Sequence, residues 1–440
     1  MVVSPLETRY KTEMNAVFEE ENRLKRWLDV EVALARAHAS CGNIPNSSAN
    51  EIARASKKVK LARVKQIDSK IHHDLMAVVK ALAEQCSGEA GGHIHLGATS
   101  YDIEDCATAL QLRDAIAILE PRLLKLQKTL ASLALKHKKT VCIGRSHGQH
   151  AVPTTYGLKF AIFEREIARN IERLNDAKKR LYVGKMSGAV GTMATFGERA
   201  FEIEKHVMNE LKLKPSEASN QIIQRDRIAE ALSILALTAS TLDKLAKEIR
   251  NLQRTEIAEL AEPFANAQVG SSTMPQKRNP HRCERICSLA RVVRAYSLVA
   301  LENIALEHER DLTNSANERI IISSSFILTD YMLKEANEIL AGLEFFPENI
   351  KKNLELTRGL VLAERVMIAL AKKGMSRQLA HEKIRKASIL ANRAKKHLND
   401  VLANDSEIAR LLSKNELKQI FRAETYIGKA TEIAERAVKK

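Results

Sequence analysis

The chain of 440 residues contains 45% hydrophobic and 28% charged residues, proportions typical of a folded globular protein. No apolar run approaches the roughly 18 residues that a membrane span needs, and Glu7 and Arg9 interrupt the start, where a signal peptide would be apolar. We therefore expect a cytoplasmic protein without membrane contact.

The formal charge of +16 has two interpretations, a nucleic-acid surface or sites for strongly anionic small molecules. A nucleic-acid surface would interleave basic residues with aromatics, but Lys and Arg are scattered among Glu on predicted helix faces. This pattern favours anionic substrate sites and predicts no nucleic-acid partner.

Glycine and proline, which interrupt regular structure, are absent from the segments 158–183, 216–262 and 281–341. As one continuous helix, 216–262 would be about 70 Å long. It carries a heptad seam, in which an apolar residue recurs every seven positions: Ile228, Leu235, Leu242 and Ile249.

Together with a helical segment at 122–143, these patterns predict an all-α protein with marginal strands. We expect three helical domains: an N-terminal domain at 1–104, a central long-helix bundle at 105–354 and a C-terminal domain at 355–440. The seam either packs the subunit's own core or buries a face against other subunits, and the pattern alone leaves both open.

Glycine, histidine and hydroxyl residues concentrate in short segments between the predicted helices, a placement typical of functional loops on a rigid scaffold. In chain order these segments read SPLETRY (4–10), HHD (72–74), GGHIHLGATSYD (91–102), GRSHGQHAVPTT (144–155), NQIIQRD (220–226), GSSTMPQKRNPHRCER (270–285) and ERDLTNSANER (309–319).

The histidines of these loops suit acid–base chemistry, because imidazole titrates near neutrality. His147 and His150 form one of several close pairs, but none has the HExxH arrangement or a recognised zinc spacing. Cys283 and Cys287, four residues apart, supply at most half of a tetrahedral metal site. We therefore expect free thiols and no metal ion.

The loop GSSTMPQKRNP at 270–280 combines hydroxyls, cations and an amide. It lacks the G-x-S-x-G elbow of a hydrolase nucleophile. Backbone N–H groups and Lys277 could stabilise an alkoxide at Ser271, which would make this serine a base. An anion-binding loop without chemistry explains the same residues equally well.

Cationic side chains occur inside or at the edges of these loops, and arginine matches carboxylate and phosphate oxygens in bidentate fashion. The set predicts a phosphorylated, dicarboxylated substrate; it comprises Arg9, Lys277, Arg285, Arg310 and Arg319.

GSSTMPQKRNP resembles the signature of the fumarase/aspartase superfamily, whose members eliminate fumarate from succinyl-type substrates. SPLETRY, HLGATSYD, RSHGQHAVPTTYGLKF, NQIIQRD and ERDLTNSANER resemble, in order and spacing, the branch that acts on succinylated purine ribotides. The similarity runs from residue 4 to about residue 320.

This resemblance implies cleavage of adenylosuccinate to AMP and fumarate, and of succinyl-aminoimidazole-carboxamide ribotide to aminoimidazole-carboxamide ribotide. It implies Ser271 as general base and His147 as general acid. The other implied reaction-centre residues are Lys277, Asn279, His73 and Glu284, of which Lys277 and Asn279 bind a substrate carboxylate. Implied contacts to the nucleotide and succinyl groups are Arg9, Tyr10, Asp74, Thr99, Ser100, Gln221, Arg285, Arg310, Ser315 and Arg319.

The resemblance also implies that no cofactor is needed, and that a homotetramer assembles each active site from loops of three subunits. Two alternatives remain within the enzyme class, another lyase of the superfamily and a muconate cycloisomerase. SPLETRY and RSHGQHAVPTT favour the purine branch. A basic helical scaffold that binds nucleic acid is the remote alternative.

Overall fold

The computed structural model describes residues 4–265 and 267–439. Its secondary structure is almost entirely helical, which confirms the all-α prediction. The α-helices in this part of the chain are α1 Asn15–Phe18, α2 Glu20–Ser40, α3 Asn46–Ser56, α4 Leu61–Ile71, α5 Asp74–Ala83, α6 Ser100–Lys136, α7 Tyr156–Leu181, α8 Ala200–Leu211, α9 Asp226–Leu252, α10 His281–Glu302, α11 Ser315–Ala341, α12 Pro347–Glu355, α13 Ala363–Lys372, α14 Arg377–Arg393, α15 Leu398–Ala403, α16 Ser406–Leu411, α17 Lys414–Ile420 and α18 Ala430–Val438.

Strands in the described residues form two-stranded pairs, antiparallel for β1–β2 and β5–β6 and parallel for β3–β4. The strands are β1 Val141–Ser146, β2 Gln149–Thr155, β3 Val183–Gly184, β4 Lys214–Pro215, β5 Leu260–Ala261 and β6 Glu344–Phe345. Short 3-10 helices cover Pro5–Glu7, Gly88–His93, Ala194–Arg199, Leu360–Leu362 and Ala423–Thr425.

The long helices differ from the predicted segments at their ends. The expected helix over 216–262 is shorter, because α9 begins at Asp226 and ends at Leu252. Before it, Ile223 donates its backbone N–H to the Asp105 carboxylate at 2.7 Å, a tertiary bond that holds the chain in a loop. After it, Ala258 adopts a left-handed φ of 47°, which ends the helical turns.

Two further predictions of helix limits were wrong. The segment 281–341 is divided into α10 and α11, because the Asp311 carboxylate accepts hydrogen bonds from the N–H groups of Glu307 and Thr313 and fixes a loop there. The segment 122–143 belongs to α6, which starts earlier and runs through Pro121, and its last residues lie in β1. Pro121 is on the exposed side of α6, and packing of the buried Leu119 and Leu123 offsets its missing N–H.

The chain divides into two compact units. Unit 1 contains the described residues of Met1–Leu124, Arg169–Leu242 and Ser288–Lys334, and unit 2 those of Lys125–Ala168, Asp243–Cys287 and Glu335–Lys440. The three-domain division stays a prediction. All four seam residues are buried, with Leu242 fully inaccessible, so this face of α9 packs inside the chain.

An ion pair in the core of unit 1 fixes the start of α6. Lys185 donates to Asp102 at 2.6 Å, and both side chains are completely buried. Asp102 also accepts the N–H groups of Thr99 at 2.8 Å and Ser187 at 2.8 Å. A buried carboxylate needs such partners, so this pair determines the backbone that leads into the predicted site residues Thr99 and Ser100.

Replacing Lys185 with Met should strongly destabilise the protein, because the Asp102 charge would stay buried without its cation. We expect a loss of about 3–5 kcal/mol in the free energy of unfolding, measured by urea denaturation. Lys383 pairs with Glu407 near the surface at 2.9 Å and provides the control, since Lys383→Met should cost less than about 1 kcal/mol. Equal losses in the two variants would contradict this role for the Lys185 pair.

Candidate active site

The signature loop in unit 2 closes on itself through its backbone. Asn279 donates its amide N–H to the carbonyl of Gly270 at 2.8 Å, which joins the two ends of the loop. A Cβ atom at Gly270 would lie 2.0 Å from the Lys277 carbonyl oxygen, so glycine is required where the two backbone segments meet. The loop is thereby held in one folded conformation.

Within this loop, Ser271 is half-buried and lies outside the apolar core. Its Oγ accepts the backbone N–H groups of Met274 at 3.1 Å and Thr273 at 3.3 Å. Hydrogen bonds donated to an oxygen favour its anionic form. The geometry is therefore suited to a serine that acts as a base.

The carboxylate of Glu262 connects the loop to helix α10. It is buried, and it accepts the N–H groups of Arg282 at 3.2 Å and Cys283 at 2.9 Å in the first turn of the helix. Negative charge is favourable at a helix N-terminus, because the first N–H groups have no helical partner. This cap fixes the direction in which Glu284 and Arg285 leave the helix.

Lys277, Asn279 and Glu284 line a cleft of about 990 Å³ in unit 2. Glu284 is exposed, with one oxygen 3.7 Å from Arg250, while Arg285 lies 3.5 Å from Glu335. The cleft is strongly cationic, since its lining also includes Lys247, Arg250, Arg254 and Arg278. Such a lining attracts anionic groups.

His147 lies at the exposed tip of the β1–β2 hairpin. The hairpin pairs Ser146 with Gln149, which leaves a two-residue turn in which His147 and Gly148 have φ angles of 54° and 72°. Two positive φ angles are characteristic of the type I′ turn, which matches the twist of antiparallel strands. The turn presents the imidazole to solvent.

A buried carboxylate anchors this hairpin as well. Glu259 is fully buried. Its carboxylate accepts hydrogen bonds from Arg145 at 2.5 Å, from the Tyr156 hydroxyl and from the Asn353 amide at 2.9 Å. Burial and the neighbouring Glu259 charge raise the pKa of Tyr156, so its hydroxyl stays protonated and donates. The hairpin that carries His147 is thus held both beside its turn, through Arg145, and just after β2, through Tyr156.

In unit 1, four of the predicted substrate-binding residues contact each other in two pairs. Arg319 lies 2.6 Å from Asp74, and Arg310 donates to the Gln221 amide oxygen at 3.1 Å. Burial opposes ionisation of Asp74, but the hydrogen bond and charge of Arg319 outweigh it and lower its pKa. A fifth predicted residue, Ser315, accepts a hydrogen bond from the Tyr101 hydroxyl at 3.4 Å.

Other predicted residues of unit 1 lie apart from these pairs. His73 caps α5 by accepting the N–H of Met76 at 3.4 Å, and it is exposed. Tyr10 packs edge-on against Tyr331, with ring centroids 5.1 Å apart, and Arg9 is exposed. Within the described residues, these three side chains make no hydrogen bond or ion pair with Arg310 or Arg319.

Two residues that the sequence did not single out belong to this part of unit 1. Tyr101 and Glu104 line a cavity of about 120 Å³ together with the predicted residues Ser315 and Arg319. Burial raises the pKa of Glu104 to about 8, the Asp74 charge adds to the increase, and Arg319 opposes it. The sequence signals were the place of Tyr101 inside the segment GGHIHLGATSYD and that of Glu104 one helical turn after Ser100.

Groups of His, Cys, Asp and Glu suitable for a metal ion do not occur in residues 4–265 and 267–439. All six cysteines are unpaired. Over the same described ranges, no helix has both the length and the apolar character that crossing a membrane requires.

Two family models match the chain. Residues 8–295 match a family described as lyase, and residues 359–437 match one described as adenylosuccinate lyase C-terminus. Among curated relatives, the adenylosuccinate lyase of Pyrococcus abyssi is 57% identical over 100% of this chain and 98% of its own length. The adenylosuccinate lyase of Methanothermobacter thermautotrophicus is 50% identical over 100% of this chain and 99% of its own.

Solved structures of similar fold support the same grouping. The 3-carboxy-cis,cis-muconate lactonizing enzyme of Pseudomonas putida has a TM-score of 0.92 at 35% identity, covering 99% of this chain and 98% of its own. The fumarate lyase of Mesorhizobium sp. BNC1 has a TM-score of 0.90 at 32% identity, covering 97% of each chain.

The raised pKa of Glu104 predicts a pH-dependent contribution to stability. The folded protein keeps this proton up to about pH 8, whereas an ordinary glutamate releases it near 4.5, so the stabilisation is complete below pH 4.5 and is lost as the pH rises through 8. Glu104→Gln has no charge to bury. We expect its melting temperature to exceed the parent's by a few degrees at pH 9 and to match it near pH 4.5. If the melting temperatures of the two proteins differ by the same amount at every pH in this range, the raised pKa of Glu104 is contradicted.

Proposed function

The chain belongs to the adenylosuccinate lyase family, a lyase family of the fumarase/aspartase superfamily, and we propose that it cleaves adenylosuccinate to AMP and fumarate with Ser271 as base and His147 as acid. The full-length similarity supports the reaction. The observation that supports this mechanism is that the Ser271 hydroxyl oxygen accepts hydrogen bonds from two backbone N–H groups in the closed signature loop.

In the proposed first step, Ser271 in its alkoxide form removes a proton from the succinyl carbon next to a carboxylate. The two N–H donors stabilise the alkoxide before the step, so they lower the cost of forming the base. The electron pair of the broken C–H bond delocalises into the adjacent carboxylate. This gives a carbanion with two negative charges on one carboxylate.

Lys277 and Asn279 are proposed to bind that carboxylate as its charge increases. Asn279 uses one amide N–H to close the loop, and the second N–H is left for a ligand. Preorganised donors contribute most where charge develops in the transition state, typically several kcal/mol for each group. The cationic cleft that contains Lys277 matches this demand.

In the second step the carbanion electron pair forms the C=C bond of fumarate, and the C–N bond breaks. His147 donates a proton to the departing purine nitrogen, and Ser271 keeps the proton taken from carbon. An imidazole at an exposed turn tip can reach a bound ligand without distorting the hairpin. Product release and proton exchange with water then restore both groups.

The unit 1 residues are proposed to bind the nucleotide part of the substrate. Arg310 and Arg319 supply fixed positive charge, and Asp74 orients Arg319 through the 2.6 Å ion pair. Succinyl-aminoimidazole-carboxamide ribotide has the same phosphate and succinyl groups and is proposed as a second substrate.

We also propose a homotetramer that acts in the cytoplasm. Helix α10 has a short stripe of two exposed apolar side chains three positions apart, in which Leu298 is 64% and Leu301 48% exposed. Exposed leucines that are neighbours on one face of a long helix favour burial against another copy of the chain. The unpaired cysteines support a reducing compartment.

A comparison of substrates tests the proposed reaction. Absorbance should show that the purified protein converts adenylosuccinate, with no conversion of argininosuccinate or 3-carboxy-cis,cis-muconate. Conversion of the muconate alone would instead support the cycloisomerase reaction suggested by the Pseudomonas putida structure. Absence of all three activities would contradict the proposal.

Loss of the general acid should affect turnover more than binding. For His147→Gln we expect kcat to fall by about 10²–10⁴ with KM nearly unchanged. His150→Gln is the matched control, because His150 lies on the same hairpin but is not assigned a role, and its kcat should stay close to the parent's. A parent-like kcat for His147→Gln would remove this residue as the acid.

Assembly is tested by placing a charge on the exposed stripe of α10. Burial of one leucine contributes about 1.5–3 kcal/mol, so Leu298→Glu should weaken the tetramer, as measured by light scattering at several concentrations. The control is Leu390→Glu, since Leu390 in α14 is 56% exposed but outside the stripe. A parent protein with the mass of a monomer would contradict the proposed interface. A Leu298→Glu variant that dissociates no more readily than the parent would contradict it as well.

A further inference from the structure

Arg310 has an unused hydrogen-bonding edge. Its Nη1 donates to Gln221 at 3.1 Å, whereas its Nε and Nη2 atoms are buried without a hydrogen-bond partner among the described residues. These two nitrogens lie along the same edge of the planar guanidinium group. They form the fork that binds two oxygens of a carboxylate or phosphate.

Buried donors without acceptors are costly, and in native proteins they are uncommon. The cost is removed when a ligand supplies two oxygens at this edge. The arrangement is therefore that of an anion subsite, provided that the guanidinium is held in the correct plane.

Tyr101 determines that plane. The Arg310 guanidinium carbon lies 3.6 Å from the centroid of the Tyr101 ring, a distance that corresponds to direct stacking on the ring face. Stacking limits rotation of the guanidinium out of the plane parallel to the ring. Gln221 then fixes its rotation within the plane.

The Tyr101 ring is itself restrained. It is 8% exposed, its hydroxyl donates to Ser315 at 3.4 Å, and a second guanidinium, that of Arg225, lies 5.6 Å from its centroid. Arg225 is held by Asp105 at 2.9 Å and Glu318 at 3.0 Å. A buried aromatic ring with these contacts has little freedom to move when a ligand binds.

We propose that Tyr101 is a positioning residue, which holds Arg310 by stacking so that the Nε–Nη2 edge is presented to an oxyanion of the substrate. This inference rests on the proposed function for the identity of the substrate. The oxyanion is a phosphate or a carboxylate, and the two products separate these sources, because AMP carries only the phosphate and fumarate only carboxylates.

The test compares Tyr101→Phe, which keeps the ring face, with Tyr101→Leu, which removes it. For Tyr101→Leu we expect KM for adenylosuccinate to rise about tenfold, with kcat within about threefold of the parent, because cation–π stacking is worth roughly 0.5–2 kcal/mol. Tyr101→Phe should stay within about threefold in both constants, since only the hydroxyl contact to Ser315 is lost. Tyr182→Leu removes a half-buried tyrosine elsewhere in unit 1 and should not change KM.

Product inhibition identifies the bound group. If Arg310 binds the phosphate, Tyr101→Leu weakens inhibition by AMP but not by fumarate; if it binds a carboxylate, the reverse holds. Either result supports the proposal. Unchanged inhibition by both products in a folded Tyr101→Leu variant would overturn it.

A double-mutant cycle separates positioning from general structural damage. Arg310→Lys removes the fork, so adding Tyr101→Leu to it should raise KM no further. Additive effects, or a fall in kcat without a change in KM, would overturn the proposal.

Tyr101→Met, with a flexible side chain of similar length, replaces the leucine variant if that one does not fold. If neither folds while Tyr101→Phe does, the ring serves core packing and the proposal is wrong. If the parent protein is active and Tyr101→Leu has the same KM and product inhibition, only this inference is rejected. If the parent protein itself is inactive, the proposed function is rejected.

Discussion

Three buried carboxylates, each of which needs hydrogen-bond or ion-pair partners, determine where the loops of the candidate site lie. Glu262 binds the first N–H groups of α10, Glu259 binds Arg145 of the hairpin together with Asn353 of α12, and Asp102 binds Lys185 and the N–H of Thr99. Each carboxylate is almost inaccessible to water. An unpaired buried charge is costly, so each one allows only the loop conformation that satisfies it.

Although these loops are anchored, their side chains with proposed catalytic roles remain accessible. Ser271 is half-buried, while His147 and Lys277 are exposed, although all three belong to segments fixed by buried contacts. Accessibility lets a substrate approach, and anchoring means that little reorganisation is needed when charge develops. In unit 1, Arg310 is likewise held in place, by Gln221 and by stacking on Tyr101, at the proposed nucleotide-binding residues.

Sequence patterns predicted most of the helical content and singled out the loops of the candidate site, whose residue roles stay predictions. Helix limits were less predictable because they depend on tertiary contacts, such as the Asp105 carboxylate that keeps residue 223 out of α9. Tyr101 and Glu104 could not be predicted as parts of the site, because stacking and burial arise only when distant segments fold together. The pairing of Asp74 with Arg319 was likewise not predictable, since 245 positions separate them.

The central claim is that the Ser271 oxygen takes the proton from carbon, and Ser271→Ala tests it most directly. This variant should bind adenylosuccinate in a calorimetric titration, because the cations and the loop backbone remain. Fumarate formation, followed by absorbance, should fall by at least about 10² relative to the parent. Binding together with turnover within about tenfold of the parent would show that another group is the base.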